Sequence, residues 1–256
     1  MTEYVDFAEY YDFDHAVTLD RAFYLDFARN KCQPPLLELA CGTGRLLIPL
    51  AQAGLDIYGI DISVNMLAVC QRGVQEYRLE QRVHLSLADM ATFDLPRKEF
   101  GLVFVALRSF MHLLTRREQL SCLQRVYEHL RPGGYFLLNV IALDPVRLAQ
   151  KPGVVFVTRR EFNLPNGHHV IRKERLVAHD AVNQVRRFEF KFEEYSPAGE
   201  LVRERCVPLA TRYLFRNELE HLLDGVGFQV VDVFGDYNQA PYDGVGEMIV
   251  VARRPQ

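Results

Sequence analysis

The sequence predicts a doubly wound α/β fold that carries an inserted antiparallel β-meander. Between residues 36 and 142, nearly continuous apolar segments alternate with segments of helical periodicity. This alternation is typical of a parallel sheet covered by helices on both faces. After about residue 150, strand-like segments are separated by regularly spaced turn signals, which favours an antiparallel meander.

The individual elements follow from the same patterns. Five apolar segments are predicted as strands of the parallel sheet: 36–41, 55–61, 82–89, 100–107 and 134–142. Helices are expected between them, including one capped by Ser63 and one running through Leu130 to the Pro132 stop signal. The chain then returns to the sheet through a helix at 216–224 and strands at 227–235 and 247–254.

Three parts of the chain are predicted. Residues 1–33 form an N-terminal arm and helix, residues 34–150 and 214–256 form the α/β domain, and residues 151–213 form the inserted sheet. Periodicity in the arm places four apolar residues on one helix face: Ala16, Leu19, Phe23 and Phe27.

Composition disfavours several classes of protein. The net charge of −3 gives no general reason to bind nucleic acid. The five cysteines are scattered without a C-x-x-C pair, so neither a disulfide framework nor a structural zinc site is expected. The N-terminus is acidic and aromatic, unlike a signal peptide, and no apolar run approaches the ~18 residues of a membrane span. We therefore expect a cytoplasmic protein without a nucleic-acid or membrane partner.

The segment ELACGTGR, at 38–45, joins a predicted strand to a predicted helix. Gly42 and Gly44 let a ligand approach the backbone, and the N–H groups of a helix N-terminus suit anionic groups. Asp61, nineteen residues after Gly42, is placed to bind ribose hydroxyls. This pattern admits a dinucleotide or a nucleoside cofactor. Leu47, where the dinucleotide fingerprint has a third glycine, disfavours the dinucleotide.

Five segments, in this order, resemble motifs of the class I S-adenosylmethionine-dependent methyltransferases, in particular the small-molecule type that acts on amino sugars and other small amines. They are LELACGTGR (37–45), GIDIS (59–63), LADMATFDL (87–95), FGLVFVALRSFMHL (100–113) and LRPGGYFLLNV (130–140). In the first, Ala40 replaces the first glycine of the family motif. The resemblance implies a Rossmann-like, mostly parallel seven-stranded sheet with an antiparallel final strand, and S-adenosyl-L-methionine as the cofactor.

The resemblance also implies which residues bind the cofactor. Those expected at the methionine part are Glu38, Ala40, Cys41, Gly42 and Gly44. Those expected at the ribose hydroxyls and around the adenine are Asp61, Ile62, Met66, Ala88, Asp89 and Met90. Leu107 is expected to present its carbonyl group near the methyl group or the acceptor.

Methyl transfer from a sulfonium depends mainly on positioning, and a base is needed only when the acceptor is protonated. His112, five residues past the fourth predicted strand, is the candidate for the catalytic and substrate-binding role, with local packing as the alternative. Arg108 and Ser109 share its loop and are substrate-binding candidates. Arg108 either pairs with an acidic group of the acceptor or is a solvated loop charge.

The N-terminal segment EYYDFDH supplies a further candidate for the catalytic and cofactor site. In similar enzymes such residues fold over the cofactor, and an aromatic ring or hydroxyl beside the sulfonium is physically sensible. Tyr11 is the preferred residue and Tyr10 the second choice, with simple packing of the arm as the alternative.

In similar enzymes an insertion at this place selects the substrate or forms a dimer, so a homodimer through the inserted sheet is possible. The meander carries six arginines in strand-like segments: Arg159, Arg160, Arg172, Arg175, Arg186 and Arg187. They form either solvated strand faces or a positively lined acceptor pocket.

The leading hypothesis is a methyltransferase that moves a methyl group to N or O of a small-molecule acceptor by in-line displacement. One alternative is an RNA or protein methyltransferase, which the lack of an N-P-P-Y-like or D-P-P-Y-like motif and of a basic tail disfavours. The other is a non-catalytic module that binds S-adenosylmethionine, since a fold does not fix a function.

Overall fold

The computed structural model describes residues 8–15 and 19–256. The predicted helix position Ala16 and the side chain of Arg159 lie outside the described residues. The α-helices of the described part are α1 (Ala8–Asp14), α2 (Leu19–Lys31), α3 (Leu47–Gln52), α4 (Val64–Glu76), α5 (Arg116–His129), α6 (Pro145–Ala149) and α7 (Arg216–Val226). A short 3-10 helix spans Ser109–His112.

The strands form two separate sheets. Those of the larger sheet are β1 (Leu36–Leu39), β2 (Ile57–Asp61), β3 (Val83–Leu87), β4 (Phe100–Val105), β5 (Leu130–Ala142), β10 (Gln229–Phe234) and β11 (Gly246–Arg253). Those of the smaller sheet are β6 (Val157–Asn163), β7 (His169–Asp180), β8 (Val185–Tyr195) and β9 (Leu201–Arg212).

The larger sheet has the strand order β10-β11-β5-β4-β1-β2-β3. The pairs β3–β2, β2–β1, β1–β4 and β4–β5 are parallel, whereas β11 is antiparallel to both β5 and β10. The predicted α/β fold with an antiparallel final strand is therefore confirmed. The chain leaves β1 in one direction and returns on the other side as β4, and open α/β sheets bind ligands at such a switch point.

Helices cover both faces of this sheet because its central strands are apolar on both sides. Every residue of β1 and β4 is buried. One hydrophobic cluster joins the sheet to α5 and α7, and a second joins it to α2, α3 and α4. The position of α5 is fixed at its start by a capping box between Thr115 and Glu118.

The smaller sheet is the predicted antiparallel meander, with the order β6-β7-β8-β9. A third hydrophobic cluster attaches it to α1 and α4, and its buried members are Tyr10, Met66, Val170, Phe192 and Val207. At its other end, β9 contacts the 3-10 helix. The sheet therefore connects the N-terminal helix with the segment that follows β4. The boundaries of the three predicted parts stay a prediction.

Two local expectations were wrong. The helix predicted to run through Leu130 ends at His129, because Leu130 has an extended backbone and pairs with Phe100 as the first residue of β5. Leu19, predicted on the packed face of its helix, is 75% exposed as the first residue of α2, while Phe23 of the same face is buried. None of the helices in residues 8–15 and 19–256 is long and apolar enough to cross a membrane.

Candidate functional site

The turn between β1 and α3 has a left-handed backbone that favours glycine. Ala40, Gly42 and Gly44 have φ angles of 53°, 57° and 86°, all in the left-handed region. A Cβ atom on Gly44 would lie 2.6 Å from Sγ of Cys70, so a side chain is excluded there by space as well as by conformation. Ala40 adopts the left-handed conformation despite its Cβ, at an energetic cost.

Glu38 lies in the middle of β1 and is 4% exposed. Its Oε2 atom is buried and has no hydrogen-bond partner among the described residues. Burial raises the pKa of Glu38 well above its ordinary value, and the guanidinium of Arg45 opposes this shift. A buried carboxylate oxygen without a partner suits a cationic ligand group, because it would otherwise keep its desolvation cost uncompensated.

Asp61, the last residue of β2, is bonded to the glycine turn. Its Oδ2 accepts a hydrogen bond from Gly42 N at 2.8 Å, and its Oδ1 accepts one from Ser63 N at 2.8 Å. Burial raises the pKa of Asp61, and the backbone N–H groups of Ser63, Gly42 and Ile62 oppose that shift. Because a carboxylate has about four acceptor positions, these bonds orient Asp61 and leave capacity for ribose hydroxyls.

The carboxyl ends of β2 and β3 present apolar side chains at the surface. Ile62 is 46% exposed and Leu87 is 60% exposed, in keeping with a surface that a flat aromatic group would cover. Ala88 N donates to Asp61 O at 3.0 Å, and Asp89 Oδ1 accepts from Ala91 N at 2.8 Å. The half-buried segment of Ala88, Asp89 and Met90 therefore continues directly from β3 beside β2.

Met66 does not lie at this surface. It is 2% exposed and packs in the cluster that joins α4 to Tyr10 and Phe192. The predicted contact of Met66 with adenine stays a prediction. Leu87 was not predicted as a site residue; its only sequence signal was an apolar residue at the end of an amphipathic strand.

Helix α1 places the two candidate tyrosines in different surroundings. A Cβ atom on Gly42 would meet Cε1 of Tyr11 at 3.9 Å, so the Tyr11 ring lies against the glycine turn. Burial raises the pKa of Tyr11, which keeps its phenol protonated. Tyr10 instead donates its hydroxyl to Glu194 Oε2 at 2.6 Å and stacks on Phe192 of β8.

Two further bonds fix the N-terminal helices to the turn. Thr43 Oγ1 donates to Asp12 Oδ1 at 2.5 Å. Arg45 donates two hydrogen bonds to the carboxylate of Asp20 in α2, one of them from Nη1 to Oδ1 at 2.8 Å. The side chains of this ion pair are 9% and 4% exposed. Sequence reasoning missed the pair because its residues are 25 positions apart and belong to no shared pattern.

The segment after β4 contains two consecutive non-glycine residues in the left-handed conformation. Leu107 and Arg108 have φ angles of 50° and 65°. Asn139 of β5 stabilises this turn, because its Oδ1 accepts from Arg108 N at 3.1 Å. Glu247 of β11 accepts from both the Arg108 side chain and the Asn139 amide. Strained backbone of this kind concentrates at functional sites.

Arg108 therefore has an acidic partner within the protein. Its guanidinium forms an ion pair with Glu247, so the predicted pairing with an acidic acceptor group would have to share or replace this contact. Ser109 is half-buried, and its backbone N–H donates to Ala106 O at 3.0 Å. Neither contact tests a role in acceptor binding, which stays a prediction.

His112 closes the 3-10 helix and contacts the smaller sheet. Its Nδ1 lies 3.0 Å from the carbonyl oxygen of Ala210 in β9. Since a carbonyl accepts only, Nδ1 carries the proton and Nε2 carries the lone pair of the neutral ring. Burial lowers the pKa of His112, and the bond to Ala210 opposes this shift. The ring is therefore neutral at physiological pH, the form that accepts a proton.

Comparison with known proteins agrees with this geometry. Residues 36–134 match the model of a family described as a methyltransferase domain. A glycine/sarcosine N-methyltransferase of Parasynechococcus marenigrum (strain WH8102) is 27% identical over 219 residues, 85% of this chain and 71% of the relative. A dTDP-3-amino-3,4,6-trideoxy-alpha-D-glucopyranose N,N-dimethyltransferase of Streptomyces venezuelae is 30% identical over 148 residues, 55% of this chain and 57% of the relative. The solved structure of the CcbJ methyltransferase from Streptomyces caelestis has a TM-score of 0.80 at 25% identity, covering 99% of this chain and 98% of that one.

The family model covers β1 to the start of β5 and therefore includes the glycine turn, Asp61, Asp89 and the turn after β4. The neighbour structure extends the likeness over the complete larger sheet and the inserted sheet. The match to a methyltransferase family supports S-adenosylmethionine as the cofactor. The Glu38 oxygen that has no partner among the described residues and the oriented Asp61 carboxylate fit it. Residues 36–134 therefore form a methyltransferase domain, and the relatives and the neighbour structure support a class I S-adenosylmethionine-dependent methyltransferase.

Proposed function

We propose that the chain methylates the nitrogen atom of a small-molecule amine and that His112 accepts the proton released by the acceptor. The observation that carries this proposal is the half-buried, neutral His112, which follows β4 and is held through Nδ1 by the carbonyl group of Ala210 in β9. An aliphatic amine is protonated near neutral pH and must lose a proton before its lone pair can attack. A histidine with a lowered pKa is unprotonated near neutral pH and is therefore in the form that can accept that proton.

The cofactor-binding roles follow from the contacts of the turn. Bound S-adenosylmethionine supplies a methyl group attached to a positively charged sulfur leaving group. Glu38 would hold the ammonium group of the methionine part with its Oε2 atom, which has no partner among the described residues. Asp61 would bind the ribose hydroxyls while Gly42 and Ser63 keep its carboxylate in place.

The remaining residues position the reacting groups. Tyr11 would cover the turn from the α1 side and exclude water, with its ring or hydroxyl near the sulfonium. Leu107 would direct its carbonyl toward the methyl group or the acceptor from the left-handed turn that Asn139 stabilises. Holding a nucleophile in line at attack distance contributes up to ~7–11 kcal/mol in favourable cases, so no further catalytic group is required.

Two relatives support nitrogen rather than oxygen as the acceptor atom. Their names describe a glycine/sarcosine N-methyltransferase and an amino-sugar N,N-dimethyltransferase. Both act on amines of small molecules. The site of this chain, with the half-buried neutral imidazole of His112 beside the strained turn, is chemically consistent with the same acceptor class.

The test is the formation of S-adenosylhomocysteine with matched amines and alcohols of the same carbon skeleton, such as ethanolamine and ethylene glycol. We expect product with amines and none with the matched alcohols. Product with alcohols alone would refute the nitrogen assignment. Binding of S-adenosylmethionine without product from any small acceptor would favour the non-catalytic module, and transfer to RNA or protein would favour the other alternative.

Three further properties stay predictions that accompany this proposal: a cytoplasmic location, the absence of a nucleic-acid partner, and a homodimer formed through the inserted sheet. The homodimer is tested by measuring the mass of the protein in solution by light scattering. A monomer at all accessible concentrations would contradict it.

A further inference from the structure

Arg186 of β8 is a buried cation that has no anion beside it among the described residues. Arg186 is 6% exposed, and its Cζ atom lies over the ring of Phe188, 4.9 Å from the centroid. Nη2 donates to the neutral Gln150 side chain at 2.6 Å, while Nε is buried and has no acceptor in the part of the chain that the structure describes.

Other buried or half-buried arginines of the smaller sheet have carboxylate partners. Arg172 pairs with Asp14 at 3.2 Å, and Arg212 pairs with Glu218. No carboxylate of residues 8–15 or 19–256 lies within the distance of an ion pair, about 4 Å, of Arg186. Arg186 therefore differs from these two arginines of the same sheet, which have carboxylate partners.

The surrounding charges do not replace that partner. Burial lowers the pKa of Arg186, and the positive charge of Arg147 adds to this shift, while the charges of Glu174 and Asp144 oppose it. A buried charge is costly unless it is paired, and such groups are retained where a ligand supplies the opposite charge.

The position of Arg186 connects it to the acceptor side of the molecule. Arg186 pairs with Thr211 of β9, one register step from Ala210, whose carbonyl accepts from His112. Its partner Gln150 follows α6, in the segment that leaves the carboxyl end of β5. Arg186 is thus linked to the segments after both β4 and β5, at the edge where open α/β sheets bind ligands.

We propose that Arg186 binds an anionic group of the methyl acceptor, so that the acceptor is an amine that also carries a carboxylate or a phosphate. This inference rests on the proposed function and adds the charge of the substrate to it. A guanidinium forms paired, charge-assisted hydrogen bonds with either group, and its planar shape suits them better than an ammonium does. The cation–π contact with Phe188 holds the guanidinium beside this ring.

The first experiment separates ligand binding from a structural role. Arg186→Met keeps an apolar stem of similar length and removes the unpaired charge, and Arg187→Gln, at the exposed neighbouring position, is the matched control. We expect Arg186→Met to unfold at the same temperature as the unchanged protein or a higher one, because no internal ion pair is lost. A clearly lower Tm for Arg186→Met, with Arg187→Gln unchanged, would indicate a structural role and overturn the proposal.

The second experiment measures anion binding directly, with acetate and inorganic phosphate as probes in the presence of S-adenosylhomocysteine. Calorimetry is expected to show that Arg186→Met weakens binding of the preferred probe by roughly tenfold to a hundredfold. Arg186→Lys is expected to restore part of this loss, and Arg187→Gln to bind normally. Preference for acetate or for phosphate distinguishes a carboxylate from a phosphate group. Equal binding by all variants, or no binding of either anion to the unchanged protein, would overturn the proposal.

The third experiment uses matched amines that differ in the anionic group: sarcosine with sarcosinamide, and O-phosphoethanolamine with ethanolamine. The unchanged protein is expected to prefer the anionic member of one pair, and Arg186→Met to remove this preference through a higher KM. A preference for the neutral members would overturn the proposal. Absence of turnover with every amine would refute the proposed function alone, since the anion titration tests Arg186 independently.

Discussion

Replacing Glu38 with glutamine is expected to weaken cofactor binding without disrupting the fold. The substitution keeps the shape of the side chain in the centre of β1 and removes its ability to ionise. In the ligand-free protein the Oε2 atom has no hydrogen-bond partner among the described residues, so Glu38→Gln breaks no bond at that atom. The change therefore acts mainly on the complex with a ligand cation.

The size of the effect follows from the single contact that is lost. A hydrogen bond to a charged group contributes about 1.5–3 kcal/mol, which corresponds to roughly a 10- to 150-fold loss of affinity. Glu38 is 4% exposed, so screening by solvent should reduce this figure little. We therefore expect an increase in Kd for S-adenosylmethionine within that range.

The pH dependence gives a second, independent signature. Burial raises the pKa of Glu38, so the folded, ligand-free protein keeps this proton at pH values where the unfolded chain has lost it. Glu38 therefore contributes stability that is present below its ordinary pKa and declines as the pH rises toward the folded pKa. In the same range, binding of an ammonium group releases the proton, so cofactor affinity should rise with pH. Both pH effects should be absent in Glu38→Gln.

Calorimetry in two buffers of different ionisation enthalpy measures both the affinity and the proton released on binding. Thermal unfolding across the same pH range compares the stability of Glu38→Gln with that of the unchanged protein. Glu38→Gln should become relatively more stable as the pH rises. Glu76→Gln, at the exposed end of α4, is the control and should behave as the unchanged protein. Unchanged affinity in a folded Glu38→Gln variant would refute the assignment of Glu38 to the methionine part.

Three other substitutions test separate parts of the site. Asp61→Ala should weaken S-adenosylmethionine binding in calorimetry and lower the Tm, because the amides of Gly42 and Ser63 lose their acceptor, which costs about 1–3 kcal/mol for each amide. Normal affinity would contradict the assignment of Asp61 to the ribose. His112→Ala should lower kcat by about 10²- to 10⁴-fold while cofactor affinity stays nearly intact, and a normal rate in this variant would remove His112 from the mechanism. In the unchanged protein, kcat should fall when the pH drops below the ordinary pKa of histidine and the ring becomes protonated. Ala40→Gly should raise the Tm because it removes the strain of a left-handed alanine, and the free energy of unfolding should rise by up to ~1 kcal/mol after the entropy cost of glycine is subtracted. A lower Tm would mean that the methyl group of Ala40 packs favourably.

Much of the fold was predictable because it depends on short-range patterns. The apolar strands β1 and β4, the glycine turn and the cap at Ser63 each follow from residues close together in the chain. The end of α5 was less predictable, because Leu130 suits either the last turn of a helix or the first residue of a strand. Its pairing with Phe100, thirty residues earlier, decides the outcome.

The site was only partly predictable, because several of its contacts join distant elements. The turn after β4 depends on Asn139 and Glu247, which come from β5 and β11 and form no motif with Arg108. Strand alternation also left open which face of the inserted sheet would be covered. The burial of Arg186 against Gln150 results from tertiary packing, which a period of two residues does not specify.

The two neighbouring tyrosines of α1 have a consequence for the order of events in a catalytic cycle. Tyr11 lies against the glycine turn, while Tyr10 is bonded to Glu194 of the inserted sheet. A displacement of this seven-residue helix that opens the cofactor site must therefore also break its attachment to the sheet. We expect the cofactor to enter first and the acceptor second, with S-adenosylhomocysteine released last and acting as a competitive inhibitor against S-adenosylmethionine alone.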